Sequence, residues 1–342
     1  MHARPAGLRG RRELLLWLAG LVIQASCSSP VSSSTPRKKV FQIGYVAAGA
    51  PGGPNTLAFE QGLRDLGWVK DENVVIQYRW GTGREGEFPG LIADLLNLNV
   101  DVIVATALPA TRAAMQATNA TPIVMTLIGD PVREGLVERI NRPGGNVTGV
   151  STLAPQLSGK RLEVLKEGLP DVSRVAVMYN PSVPDMVTNW LETETAAPPL
   201  GVTVVPLHVR SPEDIPAALE TARNERADAL ILLSDDLVFR YRRDIIARAT
   251  ADKLPVIGTQ RAYATAGALL AYGPDYAELF RRAAAQVDKI LKGTRPADIP
   301  IEQPMRFELV VNRDAATALG ISLSRTILAD ATEMVQTELQ AR

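Results

Sequence analysis

Cysteine and histidine are almost missing from this chain of 342 residues, which has one of the first and two of the second. A lone cysteine, Cys27, permits no intramolecular disulfide in any redox compartment. His2 and His208 cannot supply the ligand cluster that a transition-metal centre draws on, so no metal is expected. Aromatic residues are scarce, at 5%, and neither sign of charge dominates: 37 Lys and Arg balance 37 Asp and Glu. That balance excludes the basic face of a dedicated nucleic-acid binder. Nucleotide signatures are lacking as well. No G-x-x-x-x-G-K-[ST] loop occurs, and the glycine-rich run Gly49–Asn55 misses the G-x-G-x-x-G spacing. The strand after it ends Gln77-Tyr78-Arg79-Trp80, where ribose recognition needs an acidic residue. There is no G-x-S-x-G nucleophile elbow. The adjacent carboxylates Asp235 and Asp236 point different ways in an extended chain, which does not make a shared catalytic site. These absences predict neither a cofactor nor an enzyme.

What is present begins with a distinctive first thirty residues. Arg4, Arg9, Arg11 and Arg12 precede an apolar run from Leu14 to Ile23, and the small residues Ala25, Ser26, Cys27 and Ser28 follow. A charged start, a short apolar run and a processing site form an export signal. The run is about ten residues, half of the ~20 that a bilayer-spanning helix requires. Cys27 resembles the lipid-accepting cysteine of a bacterial lipoprotein, although Gln24 stands where leucine is usual. Lipidation at Cys27, ordinary cleavage nearby and twin-arginine export through Arg11-Arg12 remain open. All three place the mature chain outside the cytoplasm, in the periplasm or its equivalent; lipidation adds a membrane tether. Residues 1–27 are therefore read as signal and lipobox. Residues 28–40, rich in Ser and Pro and ending in Arg37, Lys38 and Lys39, are read as a flexible tether.

From Val40 onward, apolar residues, 46% of the whole chain, fall into short continuous runs alternating with helical stripes. Val40–Ala47, Val74–Trp80, Val100–Ala105, Ile123–Ile128 and Val147–Val150 read as strands. Asn55–Leu66, the Leu91-Leu95-Leu98 stripe, Pro109–Thr118 and Val132–Ile140 read as helices between them. The cycle restarts with helix Ser158–Gly168 and strand Arg174–Tyr179. Strands Val202–Leu207, Ala229–Leu233, Pro255–Gly258 and Ala268–Tyr272 follow, alternating with helices Glu213–Asn224 and Arg240–Asp252. A long helix, Tyr276–Lys292, stops at Gly293. Strand Phe307–Val311 and helix Asp314–Leu319 close the pattern. Two successive β-α cycles predict an α/β chain of two doubly wound parallel-sheet lobes.

Four blocks then resemble one family. The first runs from Gly129-Asp130-Pro131-Val132 through Gly135-Leu136-Val137 to Arg142-Pro143-Gly144-Gly145-Asn146-Val147-Thr148-Gly149. The second is Leu162-Glu163-Val164-Leu165-Lys166, then Pro170 and Arg174-Val175-Ala176-Val177. The third is Tyr272-Gly273-Pro274-Asp275, then Arg281-Arg282-Ala283-Ala284 and Val287–Gly293. The fourth spans Pro300–Asn312. Together they resemble the ABC-transporter substrate-binding proteins of the tryptophan and tyrosine type. The resemblance implies a type I periplasmic-binding-protein fold with a three-segment hinge. Lobe 1 would take 41–152 plus 275–302, and lobe 2 would take 153–274 plus 303–342. It also implies the solute-binding component of a bacterial importer, a monomer that captures a small organic molecule and delivers it to ABC permease and ATPase subunits. An aromatic or hydrophobic amino acid is the implied class of ligand. A sensory module reporting to a membrane receptor is the alternative.

Open parallel sheets bind ligands beyond the C-terminal ends of their strands. That rule selects Ala47, Ala48, Gly49, Thr106, Ala107, Leu108 and Asp130 in lobe 1. In lobe 2 it selects Asn180, Pro181, Ser234, Asp235, Asp236, Thr259 and Gln260, with Tyr272 and Gly273 at a crossing. Thr106 with the helix-start N–H groups beside it suits a carboxylate, while Asp130, Asp235 or Asp236 suits an ammonium. Tyr272 suits an aromatic ring. For Asp130, helix capping and ligand contact both remain open.

Overall fold

The computed structural model describes residues 39–49, 51–82, 84–233 and 235–338. The expected export signal with Cys27, the expected tether up to residue 38, and Ser234 lie outside the described residues. The first cycle runs β1 (Phe41–Ala48), α1 (Pro54–Asp65), β2 (Val74–Gly81), α2 (Phe88–Asn97), β3 (Val102–Thr106), α3 (Ala107–Ala117), β4 (Ile123–Ile128) and β5 (Val147–Ser151). The second runs α4 (Ala154–Gly168), β6 (Arg174–Tyr179), α5 (Pro184–Ala196), β7 (Thr203–His208), α6 (Asp214–Asn224), β8 (Ala229–Leu232), α7 (Asp236–Ala251), β9 (Val256–Gly258), α8 (Arg261–Thr265) and β10 (Leu270–Pro274). Then come α9 (Tyr276–Leu291), β11 (Phe307–Asn312), α10 (Arg313–Leu319), α11 (Arg325–Asp330) and β12 (Glu333–Val335).

Two sheets result. The first has the order β2-β1-β3-β4-β5 and the second β12-β11-β10-β9-β8-β6-β7. Helices cover both faces of each, which is why the strands are apolar on both sides. Along β3 the alternation is plain. Val102 and Val104 enter the core beneath α1 and α9, while Ile103 and Ala105 enter the core beneath α2 and α3. In the second sheet Val175 and Val177 pack with α4 and α5, and Ala176 and Met178 with α6 and α7. The two-residue period of a strand thus divides each lobe's apolar residues between two cores.

The chain passes between the sheets three times: from β5 to α4, from β10 to α9, and from Ile301 to β11. The passages hold one another. The Ser151 N–H donates to the Glu302 carbonyl at 2.8 Å and the Glu302 N–H donates to the Gly149 carbonyl at 3.0 Å. The Tyr272 and Phe307 rings stack with centroids 6.4 Å apart.

Some expected elements differ. Residues Val132–Ile140 form no helix. Gly135 takes φ +68°, and the Leu136 N–H turns back to the Pro131 carbonyl at 2.9 Å, so the segment folds into a turn. Helices α4 and α7 begin a turn before the expected Ser158 and Arg240. In α7 the reason is a cap, Asp235, which accepts from the Val238 N–H. Strand β11 pairs antiparallel with β10, so the second sheet is not wholly parallel. The short α8, α11 and β12 lack a periodic run long enough to announce them.

Candidate functional site

Each sheet has one place where strand order reverses. In the first, β2 lies on one side of β1 and β3 on the other; in the second, β7 and β8 flank β6 in the same way. Connections leave such neighbours in opposite directions and open a crevice at their C-terminal ends. The first crevice is bordered by Ala47 and Ala48, which end β1, and by Thr106 and Ala107 at the junction of β3 and α3. The second is bordered by Asn180 after β6 and by Asp235 and Asp236 after β8.

The hydroxyls of the lobe 1 rim lie against one another. The Thr126 hydroxyl donates to Thr106 Oγ1 at 3.1 Å, and Thr56 Oγ1 lies 3.5 Å from the Tyr45 hydroxyl. Burial pushes the Tyr45 phenol up from its ordinary value, with Thr56 and Thr106 opposing. Thr106 sits at the cap position of α3, yet its side chain does not bond the helix's first N–H groups, and Ala107 follows with φ +68°. Asp130 accepts from the Val132 and Arg133 N–H groups, both at 3.1 Å. It therefore caps a turn rather than a helix. Behind it, Gly149 has φ +150°, and a Cβ there would stand 2.1 Å from the Met125 carbonyl oxygen. Only glycine lets β5 run this close to β4.

The lobe 2 rim is different. Asp235 Oδ1 accepts from the Val238 N–H at 2.7 Å, but its Oδ2 is buried without a partner. Burial raises this carboxyl to about 6, against the backbone bond from Val238; Asn180 approaches it from β6. Asp236 is likewise raised to about 6 by burial, offset by Arg240. Asn180 itself accepts from the Ser182 N–H at 2.9 Å. Thr259, just after β9, is buried, and its hydroxyl makes no hydrogen bond of normal geometry; burial pushes the Tyr276 hydroxyl up from its ordinary value, with Arg161 and then Thr259 opposing. Next to Thr259 stands Gly273, where a Cβ would meet the Thr259 carbonyl oxygen at 1.9 Å. Tyr272 is half-buried, and its ring is already stacked on Phe307.

Sequence reasoning missed several polar groups. Arg161, 1% exposed, donates from Nε to the Tyr272 carbonyl at 2.8 Å. Its charge has no carboxylate within ion-pair distance among the described residues, and burial lowers it to about 10, against the nearby Tyr276. The available signal was its place on the buried stripe Leu157-Arg161-Leu165-Gly168. Arg240 reaches from α7 to the Thr82 carbonyl beyond β2, at 2.7 Å, and so joins the lobes. Arg133 and Glu192 do the same at 3.4 Å. Beside them Glu134 pairs with Arg112 at 2.8 Å, and Asp185 of α5 approaches Glu134 and the Gly129 N–H. Among the described residues, no group of three or more His, Cys, Asp or Glu could hold a metal ion. No helix among them is long and apolar enough to cross a membrane.

Two α/β lobes, each with its switch point at a rim and joined by three strand-like passages, define a type I periplasmic-binding-protein fold. The model of the ABC transporter substrate-binding protein family matches residues 56–335, and the chain belongs to that family. It is 27% identical over 263 residues to the Tyrosine-binding protein of Clostridioides difficile (strain R20291), covering 77% of this chain and 75% of that one. The solved ABC domain in complex with L-Trp from Streptococcus pneumoniae is similar at 26% identity and a TM-score of 0.80, covering 87% of this chain and all (100%) of that one. The ligand-free, open structure of a Clostridium difficile substrate-binding protein with adhesive properties has the same identity and coverage, but a TM-score of 0.65.

Proposed function

We propose that this chain is the extracytoplasmic solute-capturing component of a bacterial ABC importer, which closes its lobes on an aromatic or hydrophobic amino acid. The observation that carries this reading is the pair of buried, unpartnered oxygens on the lobe 2 rim, Asp235 Oδ2 and Thr259 Oγ1. Natural proteins rarely leave such atoms unsatisfied, because each costs about 1–3 kcal/mol. A ligand ammonium answers the first and a ligand carboxylate oxygen or bridging water the second. The uncapped start of α3, at the facing switch point, offers N–H groups to the carboxylate. Ala47, Ala48 and Ala107 leave room for a bulky side chain, while Asn180 and Asp236 flank Asp235, and Tyr272 borders the hinge side.

The lobe-to-lobe bond from Arg240 to Thr82 and the higher TM-score with the L-Trp complex than with the open structure both support a closed arrangement here. Hinge closure around a ligand is the expected motion of such a fold. The chain acts as a monomer without a cofactor and passes its ligand to permease and ATPase subunits. Lipid at Cys27 holds it at the membrane. Thermal unfolding of the mature protein with L-Trp, L-Tyr, L-Phe and aliphatic amino acids tests the ligand class. A ligand at 100 times its Kd adds about 2.7 kcal/mol of stability. Absence of a shift with every amino acid would overturn the assignment. Release of the protein from membranes by Cys27→Ser tests the anchor.

A further inference from the structure

We propose that Glu134 and Asp185 form a proton-sharing latch between the lobes, so that closure takes up a proton and ligand capture strengthens as the surroundings acidify. This rests on the reading of the seam as a closing cleft. Glu134 belongs to the turn after β4 in lobe 1, and Asp185 opens α5 in lobe 2. Asp185 is 8% exposed, and the Glu134 side chain is 8% exposed. Their carboxyl groups lie within hydrogen-bonding reach of each other. Two ionised carboxylates cannot share such a bond, because neither has a proton to donate. One of them must be protonated.

Among the described residues, the surrounding groups leave no other cation to balance a second negative charge. From α3, Arg112 donates to Glu134 at 2.8 Å and is itself 38% exposed. The Gly129 N–H donates to Asp185. Along α5 and the facing turn, Glu192 is occupied by Arg133. On α4, Lys160 pairs with Glu163, and Arg161 is turned to the Tyr272 carbonyl. From the strands beneath α5, Arg174 pairs with Glu225 and His208 bonds to Tyr179. One half-exposed guanidinium thus faces two carboxyl groups.

Burial, then Glu134, raises Asp185 to about 7, whereas a carboxylate in water ionises near ~4. Opening the seam hydrates the pair and returns Asp185 toward that value. Between the two values, closing binds a proton. The stabilisation of the closed form is complete below ~4 and is lost as pH rises through about 7. A ligand that binds only the closed form inherits this dependence in its apparent affinity.

The test reads closure without any ligand. Dyes are attached to the full chain at Glu72→Cys in lobe 1 and Glu220→Cys in lobe 2, in a Cys27→Ser background, and single-molecule energy transfer gives the closed-to-open ratio. Between about pH 8 and about pH 5.5 the ratio is expected to rise several-fold in the otherwise unaltered protein. Asp185→Asn, which keeps a donor toward Glu134, should hold the ratio high and nearly flat, and Glu134→Gln should shrink the rise to the part that burial of Asp185 alone supplies. An unchanged ratio across this range, or an unaltered pH profile in both variants, overturns the latch. Failure of L-Trp and L-Tyr to bind would instead strike at the ligand class and leave this readout intact.

Discussion

The two rims of the seam are built on the same topology and spend their polar groups differently. In lobe 1, Thr126 serves Thr106, Thr56 lies against Tyr45, and Asp130 Oδ1 accepts from two N–H groups of its own turn. In lobe 2, Asp235 Oδ2 and Thr259 Oγ1 are left over. A satisfied rim is a rigid wall that recognises shape, and an unsatisfied one recognises hydrogen-bonding chemistry. Under the proposed function, the contrast gives the ligand ammonium to lobe 2, and the ligand side chain, with its carboxylate at the open start of α3, to lobe 1. It also fits the two lobe 2 rim carboxyls, Asp235 and Asp236, that burial raises to about 6: such burial is tolerable when a ligand cation replaces the lost water.

The sharpest way to break this contrast is Asp235→Asn. Asparagine caps a helix as well as aspartate does, so α7 keeps its N-terminal bond and only the charge is removed. Truncating one partner of a buried, charged hydrogen-bonded pair costs about 2–5 kcal/mol, and an amino-acid ligand should therefore bind at least ~30-fold more weakly. Titration calorimetry measures it. The unliganded fold should keep its stability, because a desolvated charge has been replaced by a neutral amide. Unchanged affinity would remove lobe 2 from ligand recognition.

Most of the scaffold was legible in the residues. Continuous apolar runs gave the strands, and the rule that ligands sit beyond C-terminal strand ends led to Asn180, Asp235 and Thr259. Distinguishing used from unused polar groups was not legible. Thr106 and Thr259 look alike in a sequence, since both end strands. One meets Thr126 from the next strand, and the other meets no hydroxyl partner of good geometry. That difference depends on register between strands, which local pattern does not encode. The turn at Val132–Ile140 shows the same limit. Its apolar spacing is helical, but Gly135 at φ +68° interrupts the ladder. Arg240 meets the Thr82 carbonyl, and Asp185 meets Glu134, across the lobes, and no spacing within either lobe announces these contacts.

Thr106→Val sharpens the contrast from the lobe 1 side. It removes the oxygen that accepts from Thr126 and strands a buried hydroxyl. Stability should fall by about 1–3 kcal/mol, read from denaturant unfolding, while ligand affinity at fixed temperature stays within about threefold of its starting value. A larger loss of affinity than in Asp235→Asn would mean that the lobe 1 hydroxyl network touches the ligand, reversing the division of labour.

Thr259→Val makes the smallest expected change and the opposite one. Its hydroxyl is buried and lacks a good partner, so exchanging it for a methyl removes an unmet desolvation cost. Without ligand, stability should rise by up to about 1 kcal/mol, or ~2 °C in Tm for a chain of this size. With ligand present the gain should shrink or reverse, because the hydroxyl then has a partner to lose. The sign of the unliganded shift separates the two rims: a fall, as in Thr106→Val, would mean that the Tyr276 hydroxyl already satisfies Thr259 and that lobe 2 holds one free acceptor rather than two unsatisfied groups.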